Sequence, residues 1–182
     1  MKKILITGVF ASGKTSLIEL LKSTLQNAGK KVAVISEVAR KCPLDLNQKQ
    51  NFMSTSWLAM AQIINEMTPQ SEHFDFIIYD RGLPDIIAHT QYILGGEQDE
   101  LHLFEKLKEL GEVSINNFHH IFLAMSSSKF KIQADGLRVD DVNYQKRLEE
   151  IHIDYLVKIN SNYISLEEEN GERLNQIMKI IC

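Results

Sequence analysis

Apolar residues in this chain follow two rhythms. Short, almost unbroken runs such as "KILIT", "KVAVIS", "FDFIIYD" and "HHIFLAM" alternate with longer stretches in which leucine and isoleucine recur every three or four positions. The first rhythm suits strands covered by helices on both faces, and the second suits amphipathic helices. The pattern predicts strands over 3–7, 31–36, 75–79, 119–124 and 162–166. Helices are predicted over 14–28, about 47–66, 84–94, 98–110, 141–159 and 171–181, with Gly29 and the Gly95-Gly96 pair as stops. With no repeat and no low-complexity linker, this reads as one domain over residues 1–182. The fold class is α/β, a three-layer sandwich around a parallel five-stranded sheet.

Ligands of such sheets bind beyond the carboxyl ends of the strands, so those ends carry the chemistry. The first strand runs into Gly8-Val9-Phe10-Ala11-Ser12-Gly13-Lys14-Thr15, which fits G-x-x-x-x-G-K-[ST] in its strand–loop–helix setting. Glycines let backbone N–H groups turn inward around a phosphate, and the following helix adds its unpaired N–H groups and positive dipole end. Gly8, Ala11, Ser12, Gly13, Lys14, Thr15 and Ser16 are the expected nucleotide contacts. Lys14 would meet the β/γ-phosphates of ATP, and the Thr15 hydroxyl would meet Mg²⁺.

The third strand ends Tyr79-Asp80-Arg81. Asp80 would face Mg²⁺ from the side opposite Thr15, its plainer alternative being a cap for the helix at Pro84. Arg81 would touch phosphate or substrate. The second strand ends Ser36-Glu37-Val38-Ala39-Arg40, where Glu37 could accept a hydrogen bond from a substrate hydroxyl and Arg40 could bind the same molecule. After the fourth strand, Ser126-Ser127-Ser128 and Gly136 suggest a mobile connection. Arg138 is its best-placed cation for the charge that spreads over a transferring phosphoryl group; Lys129 and Lys131 read as exposed, and Arg147 as either reaching back or solvated. Between strands two and three, Phe52 and Trp57 read either as core or as a stacking surface for a flat ring, with Gln50 or Gln62 at its edge. His89, His102 and His152 look like ordinary helix residues, and the His119-His120 pair cannot face one way on a strand.

Composition narrows the class. Hydrophobic residues make up 44% of 182, which excludes disorder, and no apolar run approaches a membrane span. The formal charge of −4 argues against a nucleic-acid-coating surface. It does not oppose a triphosphate, because a cation ~4 Å from a phosphate gains about 4 kcal/mol at an effective dielectric near 20, while distant charges are screened. Cys42 and Cys182 suggest free thiols in a reducing cytoplasm.

On "GVFASGKTSL", "SEVAR", the Asp-ended third strand, "DGLR" and "YISLE", the chain resembles the P-loop kinase superfamily. The resemblance is to AAA_28-type ATP-binding proteins and the ribosylnicotinamide kinase domain. The "DRG" at 80–82 resembles the Asp-Arg pair of deoxynucleoside and thymidylate kinases. The resemblance implies a sheet in the order 2-3-1-4-5, an acceptor region at about 37–70 and a lid at about 126–140. It also implies Glu37 or Asp80 as the hydroxyl-orienting carboxylate, with Arg138 as the lid cation. The expected function is an ATP- and Mg²⁺-dependent phosphotransferase, a kinase with catalytic Lys14, Glu37, Asp80 and Arg138. Its partner would be a small nucleoside-like or nucleotide acceptor met by Glu37, Arg40, Trp57 and Arg81, in a cytoplasmic monomer or homodimer. The alternative is a nucleotide-dependent ATPase or switch acting on a protein partner.

Overall fold

The computed structural model describes residues 1–46, 49–68, 73–93, 98–130 and 141–182. Five strands, β1 (Lys2–Thr7), β2 (Val32–Ile35), β3 (Phe76–Asp80), β4 (His120–Leu123) and β5 (Tyr163–Ser165), form one sheet in the order β2-β3-β1-β4-β5. All four pairings are parallel. The helices are α1 (Lys14–Asn27), α2 (Phe52–Met67), α3 (Leu83–Ile93), α4 (Gln98–Ile115), α5 (Val142–Lys158) and α6 (Asn170–Ile181). The α/β fold and strand order agree with the sequence reading.

The alternation along each strand sorts the two faces. Ile4 and Ile6 of β1 and Ile78 of β3 pack with Leu17 and Leu21 of α1 and Ile177 of α6. Leu5, Ile77 and Tyr79 point the other way, onto Leu156 of α5 and Ile115 of α4. A further cluster joins Val38, Leu58, Ile86 and Phe104, so α2, α3 and α4 enclose the ground beyond β2 and β3.

Most boundaries differ from expectation by a residue or two, and three differ for a clear reason. Helix α2 starts at Phe52 rather than near 47, because Asn51 caps it. The Asn51 side chain accepts from the N–H groups of Met53 and Ser54, while the Ser54 hydroxyl accepts from the Asn51 N–H. Helix α4 continues past 110 to Ile115, since Leu107 and Ile115 are buried against the core. A 3₁₀ turn over Val38–Lys41, absent from the periodicity reading, folds the chain back directly after Glu37. Among the described residues no helix is long and apolar enough to cross a membrane.

A buried arginine sets the position of the β1–α1 loop. Arg173 of α6 is fully buried, and its guanidinium donates to the carbonyls of Ser12, Glu167 and Met125, the last at 2.9 Å. Asn170, one turn earlier, donates to the Gly13 carbonyl at 3.1 Å. The Phe130 ring stacks near the guanidinium, 5.1 Å from its centre, and lies so close over Gly13 that a Cβ there would be 2.5 Å from ring carbons. Replacing Arg173 by leucine would leave the buried Ser12 carbonyl and the part-buried carbonyls of Glu167 and Met125 without their donor, at a cost of about 3 kcal/mol. The expected outcome is a melting temperature lowered by roughly 6 °C or more, read by thermal unfolding; an unchanged value would mean the loop holds its place without α6.

Candidate functional site

The loop after β1 closes on its own lysine. Gly8 (φ 132°) and Gly13 (φ 78°) occupy backbone regions that favour glycine, and a Cβ at Gly8 would stand 2.3 Å from the Ala124 carbonyl oxygen. The Lys14 ammonium is buried and donates to the Gly8 carbonyl (2.7 Å), the Val9 carbonyl (2.5 Å) and the Ser12 hydroxyl (3.1 Å). Burial, helped by the nearby Arg81 charge, brings its pKa down to about 7, against the opposing pull of Asp85, Asp80 and Glu37. Thr15 and Ser16 are exposed on the first turn of α1. Ala11, with φ 51°, adds a third left-handed turn to the loop.

Beside the loop lies a knot of charge built from the ends of β1 and β3. Asp85, on the first turn of α3, accepts from the Thr7 hydroxyl (2.6 Å), the Gly8 N–H (3.1 Å), the Gly82 N–H (3.0 Å) and the Arg81 guanidinium (3.1 Å). Burial works against its ionised form, yet His152, Arg81, Lys14 and the Thr7 hydroxyl together hold its pKa below the usual carboxylate value. Arg81 also donates to the Gly8 carbonyl at 2.8 Å, and its Nε lies 2.6 Å from Glu37 Oε1. Burial disfavours the guanidinium charge, but Glu37, Asp85 and Asp80 outweigh it and keep Arg81 charged. Arg81 has φ 74°, a left-handed backbone that its ring of partners sustains. Glu37 also faces Arg40, 3.6 Å away.

Asp80 stands on the loop side of this knot. Burial pushes its pKa up, while Arg81 and Lys14 pull it down. Lys14 and Asp80 are close enough to feel each other's charge and that of Glu37, but of the three only Glu37 lines the cavity beside the loop. Arg138 lies outside the described residues, as do Lys131, Gly136 and most of the expected lid.

A half-open cavity of about 110 Å³ lies beside this knot. Gly8, Glu37, Arg40, Arg81 and Asp85 contribute to its lining, and Val38, Leu58, Ile86 and Leu148 supply apolar walls. Gln50, Gln62, His89 and His152 complete the lining. Gln62 donates to the buried Glu66 carboxylate at 2.9 Å, which fixes its orientation.

Several expectations need correction. Neither Phe52 nor Trp57 lines this cavity. Trp57 is half-buried against the Val38–Leu58 cluster, the core reading, and Phe52 is exposed beside a shallower pocket near Thr90. Ser126 does not begin a loose segment: its N–H and hydroxyl both donate to the Glu149 carboxylate, at 2.5 and 2.8 Å. Lys129 is exposed, as expected, and paired with Glu169, and of the two readings of Arg147 the structure has the solvated one, paired with Glu150.

Two of the three histidines that look like ordinary helix residues, His89 and His152, line the cavity. His152 is buried, and its Nε2 lies 3.0 Å from the Thr7 hydroxyl that donates to Asp85. His89 Nε2 lies 2.5 Å from the Tyr144 hydroxyl. Burial lowers both imidazole pKa values to about 4; Arg81 adds to this at His89, while at His152 the Asp85 charge opposes it and Lys14 and Arg81 reinforce it. Their one advance signal was spacing: Asp85 and His89 are four apart on α3 and so share a face.

These histidines set an acid limit. In the unfolded chain each takes a proton near 6.5, whereas the folded site resists protonation down to about 4. As pH falls through that window the unfolded state binds more protons, so stability falls. The melting temperature should therefore drop between pH 7 and 4.5, and less steeply in His89→Gln; identical slopes would show that His89 is not held neutral.

A family model described as an AAA domain, AAA_28, matches residues 3–173. No curated protein matches the chain by sequence. Among solved structures, deoxyadenosine kinase from M. mycoides with dCMP and a flexible dCDP bound is 16% identical over 98% of each chain, with a TM-score of 0.71. The same kinase with dATP bound is 15% identical over 100% of this chain and 99% of that one, at 0.69. The NadR protein in complex with NR is 14% identical over 98% of this chain and 51% of its own, at 0.75, so the chain spans about half the length of NadR. At these identities the likeness is one of fold. The family match covers nearly the whole sequence, and the chain belongs to the AAA_28 family of AAA domains.

Proposed function

We propose that the protein is a small-molecule kinase that moves the γ-phosphoryl group of ATP to a hydroxyl or phosphate of a nucleoside-like acceptor. The observation that carries this reading is a cavity lined by Gly8, Val9 and Phe10 of the phosphate loop that also holds Glu37 and Arg81 in its wall. A nucleotide switch acting on a protein has no evident use for a part-apolar pocket beside its phosphate loop. Solved structures of the same fold bind dATP, deoxynucleotides or NR, which is consistent with a nucleotide and a small acceptor meeting in this architecture.

The roles follow from the geometry. Lys14 would release its own loop carbonyls and turn to the β/γ-phosphates, with the N–H groups of Ala11 to Ser16 around them, the Gly8 N–H being held by Asp85. Thr15 and Asp80 fit Mg²⁺: one hydroxyl and one carboxylate, partly desolvated beside Lys14, leave the remaining positions of a hard six-coordinate ion to phosphate oxygens and water. The metal would neutralise charge on the triphosphate. Glu37 would accept the proton of the acceptor hydroxyl as its oxygen bonds to the γ-phosphorus, while the bond to the β–γ bridging oxygen breaks and ADP leaves. Arg81, held by Glu37 and Asp85, would keep that carboxylate aimed and face the charge growing between the two substrates. Arg40 would contact the acceptor at the cavity mouth, and Arg138 would arrive over the γ-phosphate from the lid.

The reading is tested with purified protein, Mg-ATP and a panel of deoxyadenosine, deoxycytidine, thymidine, nicotinamide riboside and their monophosphates. At least one member should raise ADP release well above the acceptor-free rate, with a phosphorylated product. Glu37→Gln should cost about 10²-fold or more in kcat, and Lys14→Ala should abolish turnover. If no panel member is phosphorylated while a protein partner stimulates hydrolysis, the switch reading replaces this one.

Lys14 supplies a second check. Near pH 8 its amine is largely neutral in the empty loop, and a bound triphosphate would favour the charged form. ATP binding should then take up a proton, seen as a buffer-dependent enthalpy in calorimetry at pH 8, and Lys14→Met should lose it. Binding without uptake in the wild type would place the phosphates away from Lys14.

A further inference from the structure

Helix α2 carries apolar residues on both its faces. The inward face gives Leu58 and Ala59 to the core and sends Leu58 and Gln62 to the cavity. The outward face of a surface helix is ordinarily polar. Here it holds Met53, Met60, Ile64 and Met67, exposed to 66, 58, 58 and 75%. With the half-buried Trp57 they stand at 53, 57, 60, 64 and 67, in alternating steps of four and three. That is the spacing of a coiled-coil seam, which keeps one apolar line turned toward a partner helix.

The strip continues onto α4. Ser114 donates to the Glu66 carboxylate of α2 at 2.5 Å, so the last turns of the two helices lie side by side. Leu110 and Val113, next to that contact, are exposed to 46 and 68%. These side chains and the four of α2 leave roughly 700 Å² open per copy, close to the ~800 Å² that one partner gives to a standard specific interface. A monomer rarely keeps so much contiguous apolar surface in water.

Charge decides what covers it. The one charged side chain of α2 is Glu66, and it is turned inward, buried under Ser114 and Gln62. A helix that lies on lipid flanks its apolar face with lysine and arginine, and α2 has neither. An uncharged strip can lie on its own copy without bringing like charges together. Two-fold symmetry needs a patch that matches itself. With the axis near Met60, at the middle of the strip, α2 runs antiparallel to its copy, and the Met53 end of each helix meets the Met67 end of the other. Lys106 and Glu109 of α4, exposed and paired at 2.9 Å, stand one turn before Leu110 and Val113 and supply both signs to a polar rim.

We propose that the outward face of α2, extended by the end of α4, is the interface of a two-fold homodimer, packed as an antiparallel helix pair on Met53, Trp57, Met60, Ile64 and Met67. The inference does not depend on the kinase reading. Because Leu58 and Gln62 belong to the same helix, the pairing would brace one wall of the cavity.

Sedimentation equilibrium of the full chain tests it. At tens of micromolar the wild type should be a dimer. Met60→Glu sets two carboxylates against each other at the axis, and should weaken association about 100-fold or more while keeping the circular dichroism of the wild type. An equimolar mixture of Met60→Glu and Met60→Lys should dimerise again, an outcome that contact through another face would not produce. Met67→Glu, at the most exposed position of the strip, serves if Met60→Glu does not fold. A wild type that stays monomeric at these concentrations overturns the proposal, whether the strip then binds phosphatidylcholine vesicles, a different protein or nothing. So does a dimer that Met60→Glu leaves intact, or a Glu/Lys mixture that stays monomeric.

Discussion

The Asp85 carboxylate is the constraint on which the site depends. Two parallel strands end side by side at Thr7 and Asp80, and nothing in a β-ladder tells the chain what to do past that point. Asp85 decides it by accepting from Thr7, from the N–H groups of Gly8 and Gly82, and from Arg81. A buried, ionised carboxylate with that many charge-assisted donors is well satisfied, and losing any one donor leaves the remainder in a poorly solvated place. The start of the phosphate loop and the start of α3 are thus held in one frame, and Arg81 is drawn into a left-handed backbone to complete it. Glu37 is then positioned at second hand, through its 2.6 Å approach to Arg81.

His152 extends the same chain to the far side. Its Nε2 lies beside the Thr7 hydroxyl, whose own proton goes to Asp85, so imidazole, hydroxyl and carboxylate form a directional relay of donors. The neutral imidazole suits this role: it can donate to Thr7 without adding a buried charge. Helix α5 therefore reports to the phosphate loop twice, through His152 and through Gln145, whose amide donates to the Phe10 carbonyl at 2.6 Å.

Much of this was legible beforehand, for physical reasons that differ from part to part. The sheet announced itself because β1, β3 and β4 are covered on both faces and so are apolar at nearly every position. The loop was legible because its glycines are required by backbone angles and by the proximity of Ala124. Asp85, His89, His152 and Arg173 were not, because their importance lies in partners far along the chain. Asp85 meets residues 77 and 78 positions away, and Arg173 meets Ser12 from 161 positions away. A single buried polar residue in an amphipathic helix looks like a surface residue in a pattern of periods. Trp57 erred in the other direction: an aromatic near a binding region invited a stacking role, whereas the fold had an apolar cluster for it to cover.

The charge balance of the crevice bears on how the proposed chemistry would be completed. Arg81, Arg40 and a Lys14 that burial leaves only partly charged stand against the carboxylates of Glu37, Asp80 and Asp85. Each cation is already engaged: Lys14 by its own loop, Arg81 by Glu37 and Asp85, Arg40 by Glu37 at 3.6 Å. A mutually satisfied set exerts little net field on a triphosphate carrying several negative charges. Under the kinase reading the missing positive charge must enter with the substrates, as Mg²⁺ on the nucleotide and as cations of the connection after β4. That arrangement favours phosphoryl transfer over hydrolysis. On that reading the field that stabilises the reacting phosphoryl group would be assembled only once nucleotide and metal are together in the site, and exclusion of water there would suppress the competing hydrolysis.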